Sequence, residues 1–155
     1  MSGTPPNSQG RLRKAVVGGL LLNALLTASA AGLFVAPRVL EGHAALLWTR
    51  HYAARVAGPP AAEHARQALR WGLKAIGLTA PLPFAAEAAR LVLGAGRQIE
   101  AKDAAAALAL YAEVGAELDR LSSSRVRGRG LAGLAAEARE GEARTRATIA
   151  GEPQK

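Results

Sequence analysis

From Ala15 to Pro37 no side chain is ionisable, and most positions are Leu, Val, Ala or Gly. A soluble surface helix needs a polar face that returns every three or four residues, and this run offers none. As an α-helix it rises about 34 Å, against a bilayer hydrocarbon core of about 30 Å. Every backbone N–H and C=O inside such a helix can pair within the segment, which lipid demands. The run therefore predicts a transmembrane signal-anchor over residues 15–37.

Two other readings compete with it. Ala28-Ser29-Ala30 follows an apolar stretch and the basic residues Arg11, Arg13 and Lys14, the layout of a signal peptide cleaved after Ala30. Against cleavage, the apolar run continues through Ala31, Gly32, Leu33, Phe34, Val35 and Ala36. A helix buried in a soluble protein is the third reading, and the length without a charge weighs against it. The basic residues ahead of the run are denser than Arg38, Arg50 and Arg55 behind it. Retained as an anchor, the segment is expected to leave the N-terminus in the cytoplasm and the helical domain outside, periplasmic or equivalent.

The same run carries a face of small and weakly polar residues. Leu20, Ala24, Ala28, Gly32 and Ala36 recur at i+4, beside a row of Gly19, Asn23, Thr27 and Ala31. In lipid, small residues let helix backbones approach, and Asn and Thr can hydrogen-bond across the contact. Gly19, Asn23, Ala24, Thr27, Ala28 and Gly32 are the candidate helix-packing residues. Their expected partner is another membrane-complex subunit or a second copy of the chain. An alanine-rich sequence can also produce such a face by composition alone.

The remaining chain reads as helices throughout. Half of its 155 residues are hydrophobic but only 4% aromatic, and Ala, the best helix former, supplies much of the apolar count. No alternating strand pattern occurs. Residues 1–14 read as a flexible basic tail, 38–60 as a juxtamembrane helix and linker, 61–149 as a helical domain and 150–155 as a frayed tail. Pro59-Pro60 after Gly58 and the pair Pro81 and Pro83 divide the helices.

Between 61 and 77, Ala62, Ala65, Leu69, Leu73 and Ile76 share one face and Glu63, Gln67, Arg70 and Lys74 the other. Over 84–101, Ala85, Ala88, Val92, Ala95 and Ile99 point inward. Asp103 is placed to cap the next helix, whose stripe of Ala107, Tyr111, Val114, Leu118 and Leu121 is the best amphipathic pattern in the chain. A last helix over 131–148 starts apolar and turns charged, with Glu140–Arg144 and Glu142–Arg146 at i, i+4 spacing. Residues 38–57 show no clean stripe, although Trp48, Tyr52 and Val56 form an i, i+4, i+8 row. That row suits either core packing, the simpler reading, or an aromatic tip in the headgroup layer.

The stretch 88–121 resembles one tetratricopeptide-type helical hairpin. Leu91, Ala95, Ala107 and Tyr111 fall at the motif's large, small, small and aromatic positions, with Asp103 at the turn. Gln98, Gly94 and Asp119 depart from the usual aromatic, leucine and proline, and no second copy follows at the repeat's spacing. The resemblance implies hairpin-stacked helices and a protein–protein interaction scaffold. The fold class is thus all-α: one transmembrane helix followed by a small alanine-rich, TPR-like helical domain.

Catalytic chemistry is not legible in the chain. There is no cysteine, phosphate-binding glycine loop or nucleophile elbow, and His43 and His51 are too far apart for an i, i+4 metal pair. Glu137, Glu140 and Glu142 each have an arginine close by and read as a solvated face. No enzyme activity, metal or cofactor is expected. The net charge of +8 favours anionic partners, and Arg125, Arg127 and Arg129 form the most basic patch. No nucleic-acid motif and few stacking aromatics accompany that patch, so nucleic acid is not the expected partner. With Trp48, the three arginines are instead candidates for contact with a partner or with lipid headgroups. The chain is expected to be a membrane-anchored accessory or scaffold subunit; the alternative is a secreted helical binding protein released by cleavage.

Overall fold

The computed structural model describes residues 8–80, 82–123 and 130–151, with backbone alone for 8–16, 31 and 34. The described residues form five helices and no strand: α1 (Ser8–Ala53), α2 (Ala61–Thr79), α3 (Pro83–Glu100), α4 (Ala104–Ser122) and α5 (Ala132–Gly151). The chain divides into two units, Met1–Pro37 and Arg38–Lys155. The expected loop arginines Arg125, Arg127 and Arg129 lie outside the described residues, as do Pro81 and residues 1–7 and 152–155 of the expected tails.

In the first unit, α1 begins at Ser8, so its helix takes in residues 8–14 of the expected tail. Its described large side chains find no cover. Leu20, Leu21, Leu22, Leu25 and Leu26 are 59–66% exposed. Pro37 lies inside α1 and has no N–H to give the helix ladder, so one backbone bond is missing at that point.

The second unit owes its core to small residues. Its part of α1 buries Gly42, Ala45, Leu46, Thr49 and Ala53, and Val56 beyond the helix end is fully buried. The domain's core therefore begins within residues 38–60, ahead of the expected start at 61. The sequence shows no clean stripe here because a face made mostly of Gly, Ala and Thr does not register as apolar. Thr49, Thr79 and Thr145 are all buried, and each hydroxyl donates to the carbonyl four residues earlier, at 2.6–2.8 Å. That bond satisfies the hydroxyl locally and lets a polar side chain sit where helices come close.

In α3 and α4 the residues predicted to point inward are buried, and in α2 three of five are, Ala62 and Leu73 being partly buried while Ala68, Gly72, Ala75 and Thr79 fill the core instead. Ala65, Leu69 and Ile76, then Ala85, Ala88, Val92, Ala95 and Ile99, then the whole stripe from Ala107 to Leu121 are buried. Pro83 opens α3 at its first turn, where a missing N–H costs nothing, and the Asp103 carboxylate accepts from Ala106 N at 2.9 Å to cap α4.

Tyr111 joins three of these helices. Its ring is 1% exposed and lies between Gly96 of α3 and Gly141 of α5. A Cβ at Gly96 would stand 2.9 Å from the ring and one at Gly141 2.7 Å, so only glycine permits this approach without a shift. The phenol donates to Glu100 Oε2 at 3.2 Å, and Glu100 receives Arg144 of α5 in a two-pronged pair at 3.0 Å. Arg144 was expected to pair with Glu140 one turn away; the cross-helix carboxylate takes it because both guanidinium nitrogens can bond there. Glu142 and Arg146 do pair as the spacing predicts. Glu137 binds Arg97 of α3. The Arg144 bond holds the Glu100 carboxyl below its ordinary range, while burial and then the Glu100 charge push the Tyr111 phenol up to about 12.

Candidate functional site

The described residues bring together two groups of side chains that can bind something, one in each unit.

In the first unit, the face expected to pack in the membrane is open. A Cβ added at Gly19 or Gly32 would meet nothing within 4 Å, and Asn23, Ala24, Thr27 and Ala28 are exposed beside them. Local bonding already engages Thr27, whose hydroxyl donates to the Asn23 carbonyl at 2.7 Å. A Thr bonded this way keeps lone pairs to accept with but has used its proton. The Asn23 amide has no hydrogen-bond partner among the described residues and is the free polar group of this face. By length and composition, α1 is the one helix among the described residues able to cross a membrane.

In the second unit, aromatic side chains gather on the outer side of α1. The expected row of Trp48, Tyr52 and Val56 divides: Val56 is in the core, Tyr52 is half-buried and Trp48 is 46% exposed. Core packing therefore holds for Val56 and fails for Trp48. The helix ends at Ala53, and its buried stripe runs through Ala45, Thr49 and Ala53, leaving Trp48 on the flank.

Trp48 stacks between Tyr52, with ring centres 6.0 Å apart, and Trp71 of α2 at 6.1 Å, with the planes within 27°. His51 meets Trp48 edge-on at 5.4 Å, and His64 lies 6.3 Å from Tyr52. Lys74 Nζ sits 5.6 Å over the Trp71 ring and pairs with Glu41 at 2.7 Å. Arg55 contacts His51 and has no carboxylate partner among the described residues. Both tryptophans of the chain are thus in one patch. Trp71 was not singled out from the sequence: it is remote from Trp48 along the chain, and no local spacing signals the pair.

The apolar groove between α2 and α4 is a third concavity. It has a volume of about 320 Å³, an alanine-rich wall that includes Ala62, Ala65 and Ala106, and Arg66, Asp103 and Glu113 at its edges. No group of three or more His, Asp or Glu side chains that could hold a metal occurs among the described residues. His43 packs edge-on against Phe84.

Compared with known protein families, characterised proteins and solved structures, the chain matches none.

Proposed function

We propose that this chain is a single-pass membrane-anchored accessory or scaffold subunit, whose helical domain joins a membrane complex through protein–protein contacts. The observation that carries the reading is the exposure of five large leucines between Leu20 and Leu26, each 59% or more open. In water such a surface would favour aggregation, whereas in hydrocarbon each leucine is at home. The charge bias puts the N-terminus in the cytoplasm and the domain outside. The TPR-like likeness of the α3–α4 hairpin, in which Ala95, Ala107 and Tyr111 are buried and Leu91 partly so, supports stacked hairpins and a scaffold role.

In this reading the small face of α1 binds a second membrane helix, either another subunit or another copy. Ala28→Leu with Gly32→Leu tests it by closing the approach while keeping the segment apolar. The double variant should stay in the pellet after alkaline carbonate yet lose co-purification and cross-linking with its partner. Unchanged association would reduce the segment to a tether. N-terminal sequencing of the mature chain that began at Ala31 would instead establish the secreted alternative.

A further inference from the structure

We infer that the stacked aromatic patch of the domain, Trp48, Tyr52 and Trp71 with Leu40 and Leu47, is a bilayer-contact surface that rests in the headgroup layer. The inference depends on the reading of α1 as an anchor. Beyond Pro37, the exposed large hydrophobic residues among those described are Leu40, Leu47, Trp48, Leu82 and Ile149. Three of the five lie on the outward side of α1, 46–70% open, so the domain's uncovered apolar surface is concentrated there.

The chemistry of the patch selects lipid from the possible occupants. Its rings are nearly parallel, 26° and 27° between stacked neighbours, and so form a ladder; a cage for a free ammonium ion needs walls set around a cavity. Each ring has an apolar body and a polar edge, and neither indole N–H has a hydrogen-bond partner among the described residues. Such rings collect at membrane–water boundaries, where the body meets acyl chain and the edge donates to ester and phosphate oxygens.

Arg55 at one end supplies a cation for anionic headgroups, and at the other Lys74 and Glu41 neutralise each other, so that pair does not repel an anionic surface. Trp48 follows Pro37 by eleven residues of the same chain, so an anchored protein keeps this surface tethered to a bilayer. A protein partner would have to bring a matching set of acceptors for the two indoles and the imidazoles; the headgroup layer supplies acceptors everywhere.

Because the chain has two tryptophans and both are in the patch, tryptophan fluorescence excited beyond the tyrosine band reports this surface alone. The full chain is reconstituted in phosphatidylcholine–phosphatidylglycerol vesicles, with and without lipids brominated near the top of the acyl chain. Bromolipid should quench emission about twofold or more, while acrylamide in the aqueous phase quenches weakly. Trp71→Phe and Trp48→Phe leave one reporter each, and both should respond. Emission insensitive to bromolipid overturns the assignment: acrylamide quenching then means that water covers the patch, and resistance to both quenchers that protein does, a second copy included. Flotation of the same vesicles separates the two levels of the reading. A chain that floats without bromine quenching keeps its anchor and loses this surface, and a chain that does not float loses both.

Discussion

α1 between Val17 and Pro37 and α3 between Pro83 and Glu100 are built from much the same residues, mainly Ala, Leu, Val and Gly, and their burial is opposite. In α3 the charges Glu87, Arg90, Arg97 and Glu100 recur at helical spacing, and the apolar positions between them are closed by α2 and α4. Between Val17 and Pro37 no charge occurs, and the large side chains described there point in every direction and stay open. Apolar content does not distinguish the two helices. The period of the few charges does, because it tells a helix whether it has one side to hide or none to show.

The largest effect should follow from putting charge where α1 has none. Leu22→Arg with Leu25→Arg costs about 5–7 kcal/mol of insertion if both guanidiniums sit near the bilayer centre, taking about 2.5–3.5 for each. The double variant should move from the carbonate pellet to the supernatant while the domain's melting temperature holds. A domain that melted with it would mean that the stability of the domain depends on the membrane segment.

The matching change in the buried region is Tyr111→Ala. It removes a ring that is 1% exposed and leaves Gly96 and Gly141 facing a void, at a cost of about 3–5 kcal/mol. Chemical denaturation followed by circular dichroism measures it, and membrane retention should be unchanged. A shift below about 1 kcal/mol would mean that α3 and α5 collapse onto the vacancy.

A smaller and sharper effect comes from pH. The Tyr111 phenol titrates near 10 in an unfolded chain and is pushed up to about 12 in the folded one. The folded state therefore holds this proton longer. Its contribution is complete below about pH 10 and is lost as the pH rises through about 12, amounting to no more than about 2.7 kcal/mol. Tyr111→Phe should abolish that part of the alkaline loss, seen as converging urea midpoints of the two proteins at high pH. Parallel midpoints across the range would show that folding does not raise the Tyr111 pKa.

Much of the domain was legible because its helices announce themselves twice, by apolar spacing and by punctuation. Pro59-Pro60, Pro83 and Asp103 mark starts, and the inward faces of α2, α3 and α4 follow the 3.6-residue period. The domain part of α1 was not legible, since Gly42, Ala45, Thr49 and Ala53 bury little area each and work by letting neighbours approach. Long-range choices were hidden too. Arg144 has a carboxylate one turn away at Glu140 and takes Glu100 from another helix, and Trp48 finds Trp71 across a separation that no local pattern encodes. For the small face of α1, Asn23 and Thr27 could be picked out by type, but the inward bond of the Thr27 hydroxyl depends on the backbone carbonyl four residues earlier.

The seat of Tyr111 also governs alignment. α5 buries mainly small side chains, Ala135, Ala138, Gly141 and Thr145, which by themselves would let it slide along its neighbours. Only Gly141 leaves room for the ring. A slip of one turn would bring Ala138 or Thr145 against it, each with a Cβ where the notch has hydrogen, and would carry Arg144 away from Glu100. One large residue set among glycines thus works as a locating pin: in a bundle of nearly interchangeable alanine surfaces, it selects the one offset at which the last helix can lock.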